Sequence, residues 1–159
     1  MANSMNDYVT AETVTKAFKK YREMGWSVIP LNKDKKPLIK WGEFSKRIAT
    51  DEEVEAWLTQ FPEAQIGIVT GAISNLVVID VEAGGDISLY PPTLTVKTGG
   101  GGYHFYYQHS EKVTKNATRI AELTDIRGDG GYVVAPPSVS SKGSYSWHGI
   151  TIENAPRHC

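Results

Sequence analysis

Cysteine is almost missing from this 159-residue sequence: Cys159, the last residue, is the single one. No internal disulfide and no cysteine-ligated zinc site can be built from it, a composition that fits a reducing cytosol. Excess charge is missing too, because 17 Lys and Arg against 18 Asp and Glu leave a formal net charge of −1. That excludes a whole-molecule basic field and confines any nucleic-acid contact to a local patch. No apolar run approaches the ~20 residues that a membrane helix needs, and "MANSMNDYVTAETV" has no apolar signal core. The sequence also lacks internal repeats and low-complexity segments. These absences predict a cytoplasmic domain without a membrane partner. The 40% hydrophobic content is ordinary for one globular domain over 1–159, with a core over about 10–150. The ending "GITIENAPRHC" reads as the start of more strand or linker, so the chain is expected to be a fragment of a longer polypeptide.

Val14, Ala17, Phe18, Tyr21 and Met24 recur at helical spacing, with Gly25 as a stop. "WSVIPL" reads as a buried strand and "NKDKKPLIKWGEF" as a lysine-rich loop. Thr50 followed by Glu53 is a capping-box pattern that opens a second helix, stopped at Pro62. Beyond it, "IGIVTG", "NLVVIDVE", "TLTVKT", "YHFYYQ", "YVVAPPS" and "SYSWHG" are short β-rich runs separated by turn residues. Residues 116–123, "NATRIAEL", are expected to form a short helix. The second half is therefore mostly sheet.

Three stretches carry chemistry. In "NLVVIDVEAGG" the strand period of two puts Asp80 and Glu82 on one face. Two such carboxylates repel unless a cation lies between them, and hard oxygen donors suit magnesium or manganese. For an isolated acid-x-acid pair, a solvated strand end is the commoner outcome. In "VKTGGGGYHFYY" the strands flanking Gly99, Gly100, Gly101 and Gly102 predict a hairpin whose bare loop amides suit phosphate oxygens. His104 shares a face with Tyr106, and Tyr103, Phe105 and Tyr107 share the other; with that trio in the core, His104 faces the open side. The plain alternative is a flexible hairpin tip. In "LTDIRGDGGYVVAPPS" Asp125 and Arg127 share a strand face, either as a third acid with a phosphate-binding cation or as a structural ion pair. Asp129, inside the glycine turn, is assigned a capping or turn role, and after that turn "YVVAPPS" is expected to re-enter the sheet and end at its proline pair.

Softer candidates remain. Lys33, Lys35, Lys36 and Lys40 form a basic loop beside Trp26 and Trp41, a candidate nucleic-acid contact, although such runs are more often solvated faces. Lys97 precedes the glycines and is in reach of either a phosphate or an acid. His109, His148 and His158 have no metal-type spacing.

Together and in this order, "VVIDVEAGG", "TGGGGYHFYY" and "TDIRGDGGYVVAPPS" resemble the bifunctional DNA primase/polymerase (prim-pol) domain of the archaeo-eukaryotic primase superfamily, found on plasmids, phages and mobile elements. "GWSVIPLNKDKKPLIKW" and "QIGIVTG" look like its usual lead-in, so the resemblance spans roughly residues 10–150. It implies a mixed α/β fold of the α+β class, with an N-terminal α/β module packed on a mixed sheet related to the RNA-recognition motif and the active site in the cleft between them. Asp80, Glu82 and Asp125 match the family's catalytic, metal-binding acids, and His104 its nucleotide-binding histidine. Arg127, Lys97 and the loop Gly99 to Gly102 are assigned to phosphate by chemistry. The implied activity is two-metal nucleotidyl transfer with Mg2+ or Mn2+, the metals ~3.5 to 4 Å apart. The implied partners are nucleoside triphosphates, a DNA template and primer, and a fused or associated helicase or accessory domain.

The sequence departs from that pattern between Ala83 and Lys97, where "ISLYPPTLTV" cannot hold the longer helix of many relatives, leaving one sheet face to other cover or to a partner. Two further function classes use the same residues. One is a non-catalytic module that binds nucleotide or single-stranded nucleic acid; the other is a metal-dependent phosphohydrolase or nuclease, which would need no triphosphate.

Overall fold

A computed structural model of the chain describes residues 11–109 and 117–152. The helices are α1 (Ala11–Glu23) and α2 (Asp51–Gln60). The strands are β1 (Ser27–Leu31), β2 (Gln65–Val69), β3 (Leu76–Val81), β4 (Leu94–Lys97), β5 (Tyr103–Gln108), β6 (Ala117–Ala121), β7 (Thr124–Arg127), β8 (Tyr132–Val134), β9 (Val139–Ser140), β10 (Gly143–Ser144) and β11 (Ser146–Trp147). His158, Cys159 and the end of the last expected strand lie outside the described residues.

α1 buries Val14, Phe18 and Tyr21, a single stripe at i, i+4 and i+7. It stops where Gly25 turns to φ +91°, a conformation that favours glycine. α2 carries the capping box expected from its sequence. The Thr50 hydroxyl accepts from the Glu53 amide at 3.1 Å, and the Glu53 carboxylate accepts from the Thr50 amide at 2.9 Å. α1 lies against β1 and β2, and α2 against α1.

The small sheet has the order β1-β2-β8, the large one β11-β4-β5-β3-β7-β6, and β9 and β10 form a separate hairpin. Every pairing is antiparallel. The fold is therefore α+β, with helices and strands largely segregated. Pro30 is tolerated inside β1 because β1 is an edge strand and needs no second ladder of donors. No helix among the described residues is long and apolar enough to cross a membrane.

Three expectations are corrected. Residues 117–121 form β6, not a helix, and turn into β7 through Leu123 at φ +56°. Thr118 and Ile120 are β-branched, and pairing with β7 outweighs a weak local helical preference; Asn116 lies outside the described residues. "YVVAPPS" does not rejoin the large sheet: β8 crosses to pair with β2, with Val134 opposite Gly67. The aromatic trio of β5 does not face the main core either. His104 and Tyr106 do, and Tyr106 packs between Trp26 at 5.7 Å and Trp147 at 5.4 Å, where the two sheets meet. Trp26 is accordingly a core residue and not part of the basic loop's surface.

Tyr103, Phe105 and Tyr107 line the outer face of the large sheet. The segment leading into β4 covers part of it without a helix: Tyr90 stacks on Phe105 at 5.2 Å, and the Tyr107 hydroxyl donates to the Pro91 carbonyl at 2.7 Å. Ile87 and Leu89 of this cover remain exposed.

Candidate active site

The two sheets flank a cleft of about 670 Å3. Its acidic wall follows from strand register. Asp80 on β3 is directly opposite His104 on β5 and Asp125 on β7, so all three side chains leave the sheet on the same face. Val78 opposite Arg127 puts that guanidinium one pleat along on the same face. Glu82, just past the end of β3, is exposed and also lines the cleft.

Asp80 is the centre of this wall. Its Oδ1 is 3.4 Å from His104 Nε2, and its Oδ2 is 3.8 Å from Arg127 NH2, which is 3.4 Å from Asp125 Oδ2. Burial pushes the Asp80 carboxyl up. The His104 hydrogen bond and charge, with Arg127 and Lys35, outweigh that and hold it below the ordinary carboxylate range. His104 is buried, and its Nδ1 has no hydrogen-bond partner among the described residues. A buried polar atom without a partner is costly in a folded chain.

The glycine loop joins β4 to β5 and its residues have distinct roles. Thr98 closes the turn: its amide donates to Gly102 O at 3.0 Å, its carbonyl accepts from Gly101 N at 3.1 Å, and its hydroxyl accepts from Gly102 N at 3.0 Å. The amides of Gly101 and Gly102 are thus engaged within the loop, which corrects the expectation that the run as a whole offers its N–H groups to phosphate. A Cβ on Gly99 would lie 2.6 Å from Gly143 O, and one on Gly102 would lie 2.2 Å from Val81 O. Those two glycines permit backbone-to-backbone packing against the β9–β10 hairpin and the end of β3. Gly100 and Gly102 line the cleft.

Other predicted residues separate in the structure. Lys35 and Lys36 line the cleft, whereas Lys33 and Lys40 are exposed outside its lining. Lys97 is opposite Tyr103, on the outer face and away from Asp80. Its Nζ is 5.2 Å from the Tyr103 ring centre and 3.5 Å from its hydroxyl. Asp129 caps a distant turn, its Oδ1 accepting from the Ala72 amide at 2.8 Å.

Lys142 and Tyr145 also line the cleft, and sequence reasoning missed both. Lys142 is at the turn of the β9–β10 hairpin, and in "SVSSKGSYSW" it looks like any solvated turn lysine. The non-local contact of Gly99 with Gly143 brings it to the glycine loop. The buried Tyr145 ring is 6.2 Å from the His104 ring.

Asp80, Glu82 and Asp125 all line the cleft, and carboxylate oxygens are hard donors of the kind that divalent cations take. Among the described residues no three carboxylate, imidazole or thiolate groups already converge as a cage. Arg127 instead lies near both Asp80 and Asp125.

No curated protein matches the sequence. A family model does: the one described as "Bifunctional DNA primase/polymerase, N-terminal" matches residues 18–158. That span takes in the second half of α1, all of α2, both sheets and every cleft residue named above, and the chain belongs to the prim-pol family.

Proposed function

We propose that the domain is a template-directed nucleotidyltransferase, a DNA primase/polymerase that adds nucleotides to a primer. The observation that supports this best is the wall formed by Asp80, His104, Asp125 and Arg127 on three adjacent strands, with Gly100 and Lys142 lining the same cleft. In the reaction the primer 3′-oxygen bonds to the α-phosphorus of a triphosphate, the bond from that phosphorus to the β-phosphate oxygen breaks, and pyrophosphate leaves. Asp80, Glu82 and Asp125 would hold Mg2+ or Mn2+ together with triphosphate oxygens. A metal held there would lower the pKa of the 3′-hydroxyl, whose proton passes to water as the new bond forms, and would offset charge on the triphosphate. His104 would meet the triphosphate beside Asp80, its Nε2 held 3.4 Å from Asp80 Oδ1. Arg127 and Lys142 supply positive charge where negative charge develops, on the phosphoryl oxygens and the leaving pyrophosphate.

Asp80→Ala tests this reading on a primed template with Mn2+ or Mg2+. Extension should fall at least about 100-fold while the fold, followed by circular dichroism, persists. Unchanged extension would remove the assignment. One observation favours the alternative of a non-catalytic nucleotide-binding module: Arg127, which already partly neutralises Asp80 and Asp125. Triphosphate titration with and without Mn2+, alongside extension, separates the two. Binding that is indifferent to metal, with no product, would favour the module.

A further inference from the structure

The cleft has a second wall that the chemistry above does not use. The side built from the small sheet and the 32–41 loop carries Trp41 and Tyr132, and no acid of the metal-binding set lies on it. Both rings pack on the core with one side and line the cleft with another, each half-buried. They meet edge-to-face, centroids 5.3 Å apart at 78°. The pair is held in place. The Tyr132 hydroxyl donates to the Lys35 carbonyl at 2.7 Å, and the Trp41 carbonyl accepts from the Phe44 amide at 2.8 Å. The Asn32 side chain accepts from the amides of Asp34 and Lys36 at 2.8 and 3.0 Å, which fixes the loop between them. Lys35 and Lys36 line the cleft beside the aromatic pair.

A rigid, half-exposed indole with cations beside it is the chemistry that recognises a nucleobase carrying phosphate. The base stacks on the ring and the phosphate meets the ammonium groups. We infer that Trp41, braced by Tyr132, is a nucleobase-stacking platform on the wall facing Asp80. The inference rests on the nucleotidyltransferase reading for its choice of ligand. Its test is a binding measurement and does not require catalysis. The base has two sources in such a cleft, the incoming nucleotide or a single strand of the template, and both present the same face to the indole.

The experiment compares wild type, Trp41→Ala and Trp41→Phe by equilibrium titration with three probes: a nucleoside triphosphate, inorganic tripolyphosphate and a short oligothymidylate. Each variant is first checked for an unchanged thermal transition. Loss of one base–aromatic stack corresponds to about a 5- to 150-fold weaker Kd. Trp41→Ala should weaken the triphosphate or the oligonucleotide by that factor and leave tripolyphosphate unchanged, with Trp41→Phe restoring part of the loss. Loss confined to the triphosphate assigns the platform to the incoming base, and loss confined to the oligonucleotide assigns it to the template. Equal losses for tripolyphosphate and the base-bearing probes, no loss with any probe, or no binding of either base-bearing probe by the wild type would overturn the inference. If Asp80→Ala leaves extension intact while Trp41→Ala still discriminates by base, the catalytic reading fails and the platform stands.

Discussion

Two alanine substitutions inside the run of four glycines should have opposite outcomes. A Cβ at Gly102 would lie 2.2 Å from Val81 O, with Glu82 Cα at 3.0 Å and Ala83 N at 3.1 Å. The first contact is roughly 1 Å inside the closest approach that real side chains show, and every obstructing atom is backbone, so no rotamer change relieves it. Either the glycine loop or the end of β3 must move by about that distance. Overpacking of this kind costs ~1 to 3 kcal/mol, which for a chain of this size lowers Tm by roughly 2 to 12 °C. The displaced segment carries Glu82 and adjoins Asp80, and a shift of ~1 Å in a reacting constellation costs on the order of 100-fold in rate. At Gly100 the nearest atom to a new Cβ is Lys142 Cδ at 4.0 Å, and φ is not positive. Gly100→Ala should therefore stay within ~0.5 kcal/mol of wild type. Thermal denaturation and primer extension on both variants read the contrast. Equal behaviour of the two would refute the claim that Gly102 is required by packing against β3 and not simply by the flexibility of a hairpin tip.

The helix caps and charges make further predictions. Thr50→Ala removes the acceptor for the Glu53 amide and should destabilise the domain by ~1 kcal/mol in denaturant titration; no change would mean that water replaces the cap at no cost. The Arg47 and Thr50 hydrogen bonds hold the Glu53 carboxyl at about 2, against an ordinary 4.5. Its contribution should be complete above pH 4.5 and lost as the pH falls toward 2. The Tm gap between wild type and Glu53→Gln should close across that window, and a gap that stays constant would contradict the assignment.

Much of the site's membership was legible locally. A two-residue period is enough to put Asp80 with Glu82, Asp125 with Arg127, and His104 with Tyr106, because side-chain alternation is a property of the single strand. The capping box at Thr50 and Glu53 was legible for the same reason: both hydrogen bonds close within four residues. The order of the motifs sufficed for the family. Local pattern did not reveal which face of β5 the core takes, since a strand with aromatics on both sides gives no preference until a second sheet packs on it. Tyr106, wedged between Trp26 and Trp147, decides this. Residues 117–121 read as helical because their partner β7 was not yet in view.

By itself, then, the sequence determined an α+β chain with three acids, a histidine and a glycine turn in the order of a prim-pol domain. Alternation and capping are short-range physics that any stretch of the chain carries alone. Tertiary structure decided the register that puts Asp80 opposite both His104 and Asp125, and the sheet crossing that brings Tyr132 to the cleft. It also decided the Gly99 to Gly143 contact that delivers Lys142, and the β4–β5 register that puts Lys97 opposite Tyr103 on the outer face. Each of these depends on which backbone packs against which, and a contact between residues distant in the chain has no local signature to read.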